Sequence, residues 1–200
     1  MVQNFVIPHS RPTLDESDLL SVSKVIRSGR IVQGEVVEKF EKKVAKYIGV
    51  DGAVAMNTGT SALHLSLLAI GIKEGDYVAM PSFVCTALLN AVRYVGAHPT
   101  LVDIDPETYN IDIRDLKKRV KKSTKAIILP HLFGLPADID EIVSLGIPVI
   151  EDCAQAIGAV YKGRKVGSFG KLSCFSFYAT KVLSTGEGGM VVSDSKSLLN

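Results

Sequence analysis

Apolar and polar positions change their period partway along this chain, and the change divides it into elements. After an extended opening that ends near Pro12, Thr13 or Asp15 can cap a helix running to about Ser28, where Gly29 stops it. A second amphipathic helix starts around Gly34, with Val37, Phe40, Val44 and Tyr47 recurring at helical spacing. Beyond Gly49, short apolar runs at 54–56, 77–80, 100–102, 126–129 and 148–150 alternate with helical segments near 60–71, 84–95, 112–121 and 137–145. Strands alternating with helices predict an α/β fold, a three-layer α/β/α sandwich whose mostly parallel sheet is covered on both faces. Two further β-like runs, 172–177 and 190–193, have no full helix between them, so simple βαβ winding breaks there and the sheet is expected to be mixed.

Composition narrows this picture without changing it. With 200 residues, 46% hydrophobic and 22% charged, the chain can bury one good core, and no repeat or linker interrupts it, so residues 1–200 read as one domain. The 23 basic and 21 acidic residues are interspersed, which argues against nucleic acid or an anionic membrane as partner. The basic run Lys117, Lys118, Arg119, Lys121, Lys122 reads as a solvated helix end. The N-terminus lacks the basic and continuously apolar regions of a signal peptide, and no apolar stretch has the length of a membrane span, so the cytoplasm is expected. Cys85, Cys153 and Cys174 occur singly and His9, His64, His98 and His131 are scattered, so neither a disulfide framework nor a metal centre is expected.

Candidate chemistry lies at turns that follow strands, where open α/β sheets hold ligands. In Asn57-Thr58-Gly59-Thr60-Ser61-Ala62 a glycine and hydroxyl residues open a helix directly after a strand. Backbone N–H groups and hydroxyls so placed hold a phosphate, though Thr60 or Ser61 also suits a plain N-cap. The buried strand at 148–150 runs into Glu151 and Asp152, carboxylates that need a cation, N–H donors or a ligand. Asp152 can pair with a protonated pyridine nitrogen or cap the following segment. Lys181 follows the aromatic run Phe175-Ser176-Phe177-Tyr178 and precedes Gly186-Glu187-Gly188-Gly189. Most lysines are solvated surface groups, but an amine partly shielded in this setting suits an imine-forming nucleophile.

Taken together and in order, these motifs resemble the DegT/StrS-type nucleotide-sugar aminotransferases, a branch of the fold type I pyridoxal 5′-phosphate (PLP) enzymes. The resemblance runs from about Pro8 through Val192. It includes the run 59–64, Gly75-Asp76 with Pro81-Ser82, Val102-Asp103-Ile104-Asp105, His131-Leu132-Phe133-Gly134, Glu151-Asp152 with Ala154-Gln155, Phe175-Ser176-Phe177, and Lys181 before the glycine-rich turn. It implies the PLP-binding large domain of that fold, incomplete because the family's small C-terminal domain is absent. Lys181 would form the Schiff base with PLP, and Asp152 would bond the pyridinium nitrogen. Gln155 would bond the phenolic oxygen, and Ala154 would pack on a ring face. Gly59, Thr60, Ser61 and Ser176 would form the phosphate site. An aromatic residue commonly stacks on the ring in this family. Cys85 occupies that position here and Phe83 is the nearest alternative.

The resemblance further implies amino transfer from an amino acid, glutamate in the family, to a nucleotide-linked keto-sugar, by a homodimer. A related dehydratase branch has histidine where Lys181 stands. A truncated, non-catalytic PLP-binding or assembly module is the alternative. A generic dinucleotide-binding domain fits less well, because the first strand is not followed by G-x-G-x-x-G.

Overall fold

Asp15 caps the first helix, α1 (Glu16–Ser28), accepting the N–H groups of Ser17 and Asp18, while the Asp18 side chain returns a bond to the Asp15 N–H. Gly29 ends that helix in the left-handed conformation at φ 70°. These details come from a computed structural model, which describes Pro8 and residues 10–200; His9 and the first seven residues lie outside it. None of the α1 side chains is buried, and Leu19, Leu20, Val22 and Ile26 all face outward. The second helix, α2 (Glu35–Ile48), starts after Gly34 and buries Val44, Ala45 and Ile48. Phe40 meets Phe177 edge to face at 5.0 Å. Tyr47, expected in the same apolar stripe, is half exposed and lies beneath the Lys165 amine, which sits 4.5 Å from the ring centre.

The alternating region then forms β1 (Gly52–Met56), α3 (Gly59–Ala69), β2 (Tyr77–Pro81), α4 (Ala87–Tyr94), β3 (His98–Val102), α5 (Ile113–Arg119), β4 (Thr124–Pro130), α6 (Ile139–Val143) and β5 (Val149–Asp152). A small hairpin of β6 (Val160–Tyr161) and β7 (Arg164–Lys165) follows, too short and polar to show as a period. The chain continues through β8 (Leu172–Ser176), β9 (Gly189–Ser193) and α7 (Lys196–Leu199).

Seven strands share one sheet in the order β1-β9-β8-β5-β4-β2-β3. The run β8-β5-β4-β2-β3 is parallel, and β9 is antiparallel to both its neighbours. The mixed sheet is therefore present as expected. Its cause is local: the stretch between β8 and β9 contains no helix to carry the chain back across the sheet, so β9 returns beside β8.

Helices cover both faces. Leu63 and Leu67 of α3 and Leu88 and Val92 of α4 pack with Val78, Ile128 and Ile150 on one side. On the other, Val44 and Ile48 of α2, Leu116 of α5, and Ile139 and Ile142 of α6 pack with Ile127, Leu129 and Val149. Alternate residues of one strand feed these two cores, which is why β4 and β5 are apolar almost throughout. Among the described residues no helix is long and apolar enough to cross a membrane.

Candidate functional site

The start of α3 is organised by Thr58 rather than by Thr60 or Ser61. Its hydroxyl accepts the Ser61 N–H at 3.0 Å and lies 3.0 Å from the Ser61 hydroxyl, while its carbonyl accepts the Ala62 N–H at 3.1 Å. That cap leaves the N–H groups of Gly59 and Thr60 as donors at the positive end of the helix. Two glycines let other backbone close in on this turn. A Cβ on Gly59 would sit 2.9 Å from the Ser176 Cβ, and one on Gly189 would overlap the Thr58 carbonyl. The Ser176 hydroxyl, at the end of β8, is thereby brought against the first turn of α3.

The two acids that end β5 have opposite surroundings. Glu151 is fully buried and accepts five hydrogen bonds: from the N–H groups of Gly167, Phe169 and Gly170, the Ser173 hydroxyl and His131 Nε2, at 2.6 to 3.1 Å. Burial by itself pushes this carboxyl up, but the His131 bond and the backbone donors outweigh it and hold it below the ordinary carboxylate range. Asp152 is 8% exposed, and among the described residues its side chain accepts only the Ala154 N–H, on Oδ1 at 3.0 Å. Burial pushes the Asp152 carboxyl up, opposed by that N–H and by the charge of Lys181.

His131 has a defined tautomer. Its Nδ1 accepts the Ala137 N–H at 3.1 Å, so the ring proton is on Nε2, which donates to Glu151 at 3.0 Å. His131, Glu151 and Cys153 bring ligand-type atoms within 4.8 Å of one another, a grouping that their sequence spacing does not suggest. Both histidine nitrogens and both carboxylate oxygens are committed to partners inside the protein, which makes this grouping a structural brace.

Gln155 is oriented by the chain that follows β4. The Phe133 N–H donates to its Oε1 at 2.9 Å, so the oxygen is spoken for and the amide protons are the group it can offer to a ligand. Lys181 lies in the loop between β8 and β9. Its N–H bonds the Tyr178 carbonyl at 2.9 Å, and the loop is closed by Phe177 N–H to Gly188 O and Thr185 N–H to Phe177 O, each 2.9 Å.

These elements enclose a cavity of about 290 Å³ at the carboxyl ends of the parallel strands. Lys181, Asp152, Ala154 and Gln155 line it from the strand ends, and Gly59, Thr60 and Ser176 line it at the start of α3. Cys85, just before α4, also reaches the wall. Ser61 does not line the cavity, because its N–H and hydroxyl turn to Thr58. Phe83 does not line it either: its half-exposed ring packs 5.8 Å from that of Tyr109. Thr58, His131, Tyr178 and Glu187 line the cavity too, without having been singled out from the sequence. Each sits within or beside a motif already read, so adjacency was the available signal. The arrangement provides an amine, a carboxylate and an amide donor on one side and a set of N–H and hydroxyl donors suited to an anion on the other.

Known proteins resemble this chain in sequence and fold. The chain is 44% identical over 197 residues to GDP-perosamine synthase of Escherichia coli O157:H7, across 96% of this chain and 54% of that protein. It superimposes on an aminotransferase from Psychrobacter cryohalolentis with a TM-score of 0.91 at 37% identity, covering 96% of this chain and 50% of the other. A second solved structure, E. coli GDP-4-keto-6-deoxy-D-mannose-3-dehydratase with bound hydrated PLP, gives a TM-score of 0.91 at 31% identity, covering 96% and 52%. The chain thus spans about half the length of these relatives. The pattern that defines one family matches residues 12–200, and on that match the chain belongs to the DegT/DnrJ/EryC1/StrS aminotransferase family.

Proposed function

We propose that this chain is the cofactor-binding part of a PLP-dependent aminotransferase that transfers an amino group from an amino acid, glutamate by family resemblance, to a nucleotide-linked keto-sugar for amino-sugar or surface-polysaccharide synthesis. One observation carries the reading: Lys181, the Asp152–Gln155 segment and the Gly59–Thr60 donors, from three separate stretches of sequence, line the same cavity. The cavity also fits the cofactor. At about 290 Å³ it is near the lower end of small-molecule sites, roughly 300 Å³. Its single buried carboxylate with an uncommitted oxygen stands apart from its anion-binding end, as a molecule with a basic ring nitrogen and a phosphate requires.

Bound there, PLP supplies an aldehyde that captures amines and a ring that withdraws electrons from the substrate bond being broken. Lys181 would hold the cofactor through its amine, and the same amine, when free, would be placed to take a proton from the substrate Cα and return it. Asp152 holds the proton on the ring nitrogen. Gln155 donates its amide to the phenolic oxygen, and Ala154 packs against the ring. The N–H groups of Gly59 and Thr60, with the Thr60 and Ser176 hydroxyls, hold the phosphate at the helix terminus. Ser61 supports that cradle through Thr58. Cys85, and not Phe83, is the residue we assign to the ring-stacking position. Lysine at position 181, where the dehydratase branch carries histidine, favours amino transfer over dehydration.

We take the protein to act as a homodimer in the cytoplasm. The outward-facing Leu19, Leu20 and Ile26 of α1 suit burial against further protein surface.

The test is the absorption spectrum of the protein mixed with PLP, beside a Lys181→Ala variant. A lysine-dependent band is expected, and its absence defeats the assignment. Formation of pyridoxamine phosphate from glutamate then separates an aminotransferase from a non-catalytic PLP-binding module, which would show the band without the product.

A further inference from the structure

Asn110 lies between β3 and α5, outside the cavity wall, and is 3% exposed. Both ends of its amide bond to one turn of the chain. Oδ1 accepts the Leu132 N–H at 3.0 Å, and Nδ2 donates to the Leu135 carbonyl at 3.0 Å. Between those anchors lie Phe133 and Gly134, both left-handed, at φ 55° and 85°. A bulky residue such as phenylalanine is costly in that region and persists only where its surroundings dictate it. Asn110 bridges the strained pair from one side to the other, and the Leu135 N–H closes the turn onto the Leu132 carbonyl at 2.9 Å. The outcome of the strain is specific: it directs the Phe133 N–H to Gln155 Oε1, at 2.9 Å.

We infer that Asn110 is a positioning residue for the cofactor's phenolic oxygen, acting through the Leu132–Leu135 turn and Phe133 to hold Gln155 with its amide protons toward the cavity. An amide side chain has two orientations, and only an N–H donor at Oε1 selects the one that presents NH₂ to the ligand. Asn110 suits the task because a single planar group offers both the acceptor and the donor that the turn needs. Asp105 and Tyr109 steady it from its own side: Asp105 N–H bonds the Asn110 carbonyl at 2.9 Å and Tyr109 N–H bonds the Asp105 carbonyl at 2.8 Å. The inference rests on the reading of Gln155 as the donor to that oxygen.

The pH midpoint of the cofactor absorption band tests it. A hydrogen bond donated to the phenolic oxygen favours its ionised form and lowers the midpoint, so losing the donor raises it. In the PLP-loaded protein, Gln155→Leu is expected to raise the midpoint by about 0.5–1 unit, the size of one hydrogen bond. Asn110→Ala should move it in the same direction by a smaller amount, and the double variant should shift no further than Gln155→Leu alone. Should Asn110→Ala not fold, Asn110→Ser carries the comparison. If Gln155→Leu leaves the midpoint unchanged, the Gln155 reading fails and this inference with it. If Gln155→Leu shifts the midpoint while the Asn110 variant does not, or if the two shifts add, the inference alone is overturned.

Discussion

Glu151 and Asp152 are consecutive on β5, yet the first is sealed into one side of the sheet by five hydrogen bonds and the second opens into the cavity. Strand alternation produces the split: neighbouring side chains must leave a strand on opposite faces. One face meets the 167–170 loop and His131. The other meets the space in front of Lys181. The same chemical group is therefore a structural brace at one position and a cavity-lining carboxyl at the next.

The two carboxylates should respond oppositely to neutralisation. Glu151→Gln is expected to destabilise the protein by about 3 kcal/mol at pH 7 in urea unfolding, since an amide presents protons to donors it must accept from. The folded Glu151 carboxyl is held down, so its contribution is present above the unfolded value and disappears as pH falls through the folded one; the deficit should shrink in acid. Asp152 is pushed up, so what favours folding is its protonated form, complete below the unfolded value and lost as pH rises through the folded one. Asp152→Asn, measured without cofactor, should therefore be at least as stable as the parent at pH 7, with the gain vanishing below about pH 4. If Asp152 holds the ring nitrogen as proposed, any PLP-dependent amino transfer should nevertheless fall by about 100-fold or more in this variant.

Gly189→Ala tests the close approach of β9 to the start of α3. The added methyl meets the Thr58 carbonyl and the Gly59 nitrogen, so the turn must move. A loss of about 1–3 kcal/mol in thermal or urea unfolding is expected, with weaker PLP binding beyond it if the start of α3 holds the phosphate as proposed. Gly186→Ala is the control. It has a left-handed backbone at φ 84° but open space around it, and should cost only about 1 kcal/mol.

Thiol labelling tests the position of Cys85. It is the exposed cysteine of the three, whereas Cys153 and Cys174 are buried and burial pushes both thiols up. One fast-reacting thiol is expected from the folded protein, lost in Cys85→Ser and slowed by saturating PLP. Labelling at Cys85 that PLP does not slow would remove it from the cofactor wall. Cys85→Phe should then tighten PLP binding by about 2–10-fold through ring stacking.

Local patterns in the sequence carried most of the elements. Asp15 and Gly29 bound α1 as the capping rules require, and the missing helix between 172–177 and 190–193 correctly signals the antiparallel return of β9. The β6–β7 hairpin left no trace, because two-residue strands have no period to detect. Tyr47 follows its helical spacing yet is half exposed, since spacing reports a face of the helix and not how far the neighbouring layer extends over it.

For the site, sequence alone determined the candidate groups: a lysine after an aromatic strand, two acids at the end of a buried one, and a glycine-hydroxyl turn opening a helix. Motif order sufficed for that, because each motif is set by its own short stretch of backbone. Tertiary structure decided how the groups are divided. It made Thr58 the cap and set Gly59 and Thr60 at the cavity wall, sent Ser61 and Phe83 away from the cavity while bringing Cys85 to it, and turned Gln155 with a backbone N–H from residue 133. Those outcomes depend on which strands are neighbours and how closely their connecting turns approach. Strand order is settled by burying both faces of the sheet at once, and no local period along the chain encodes it.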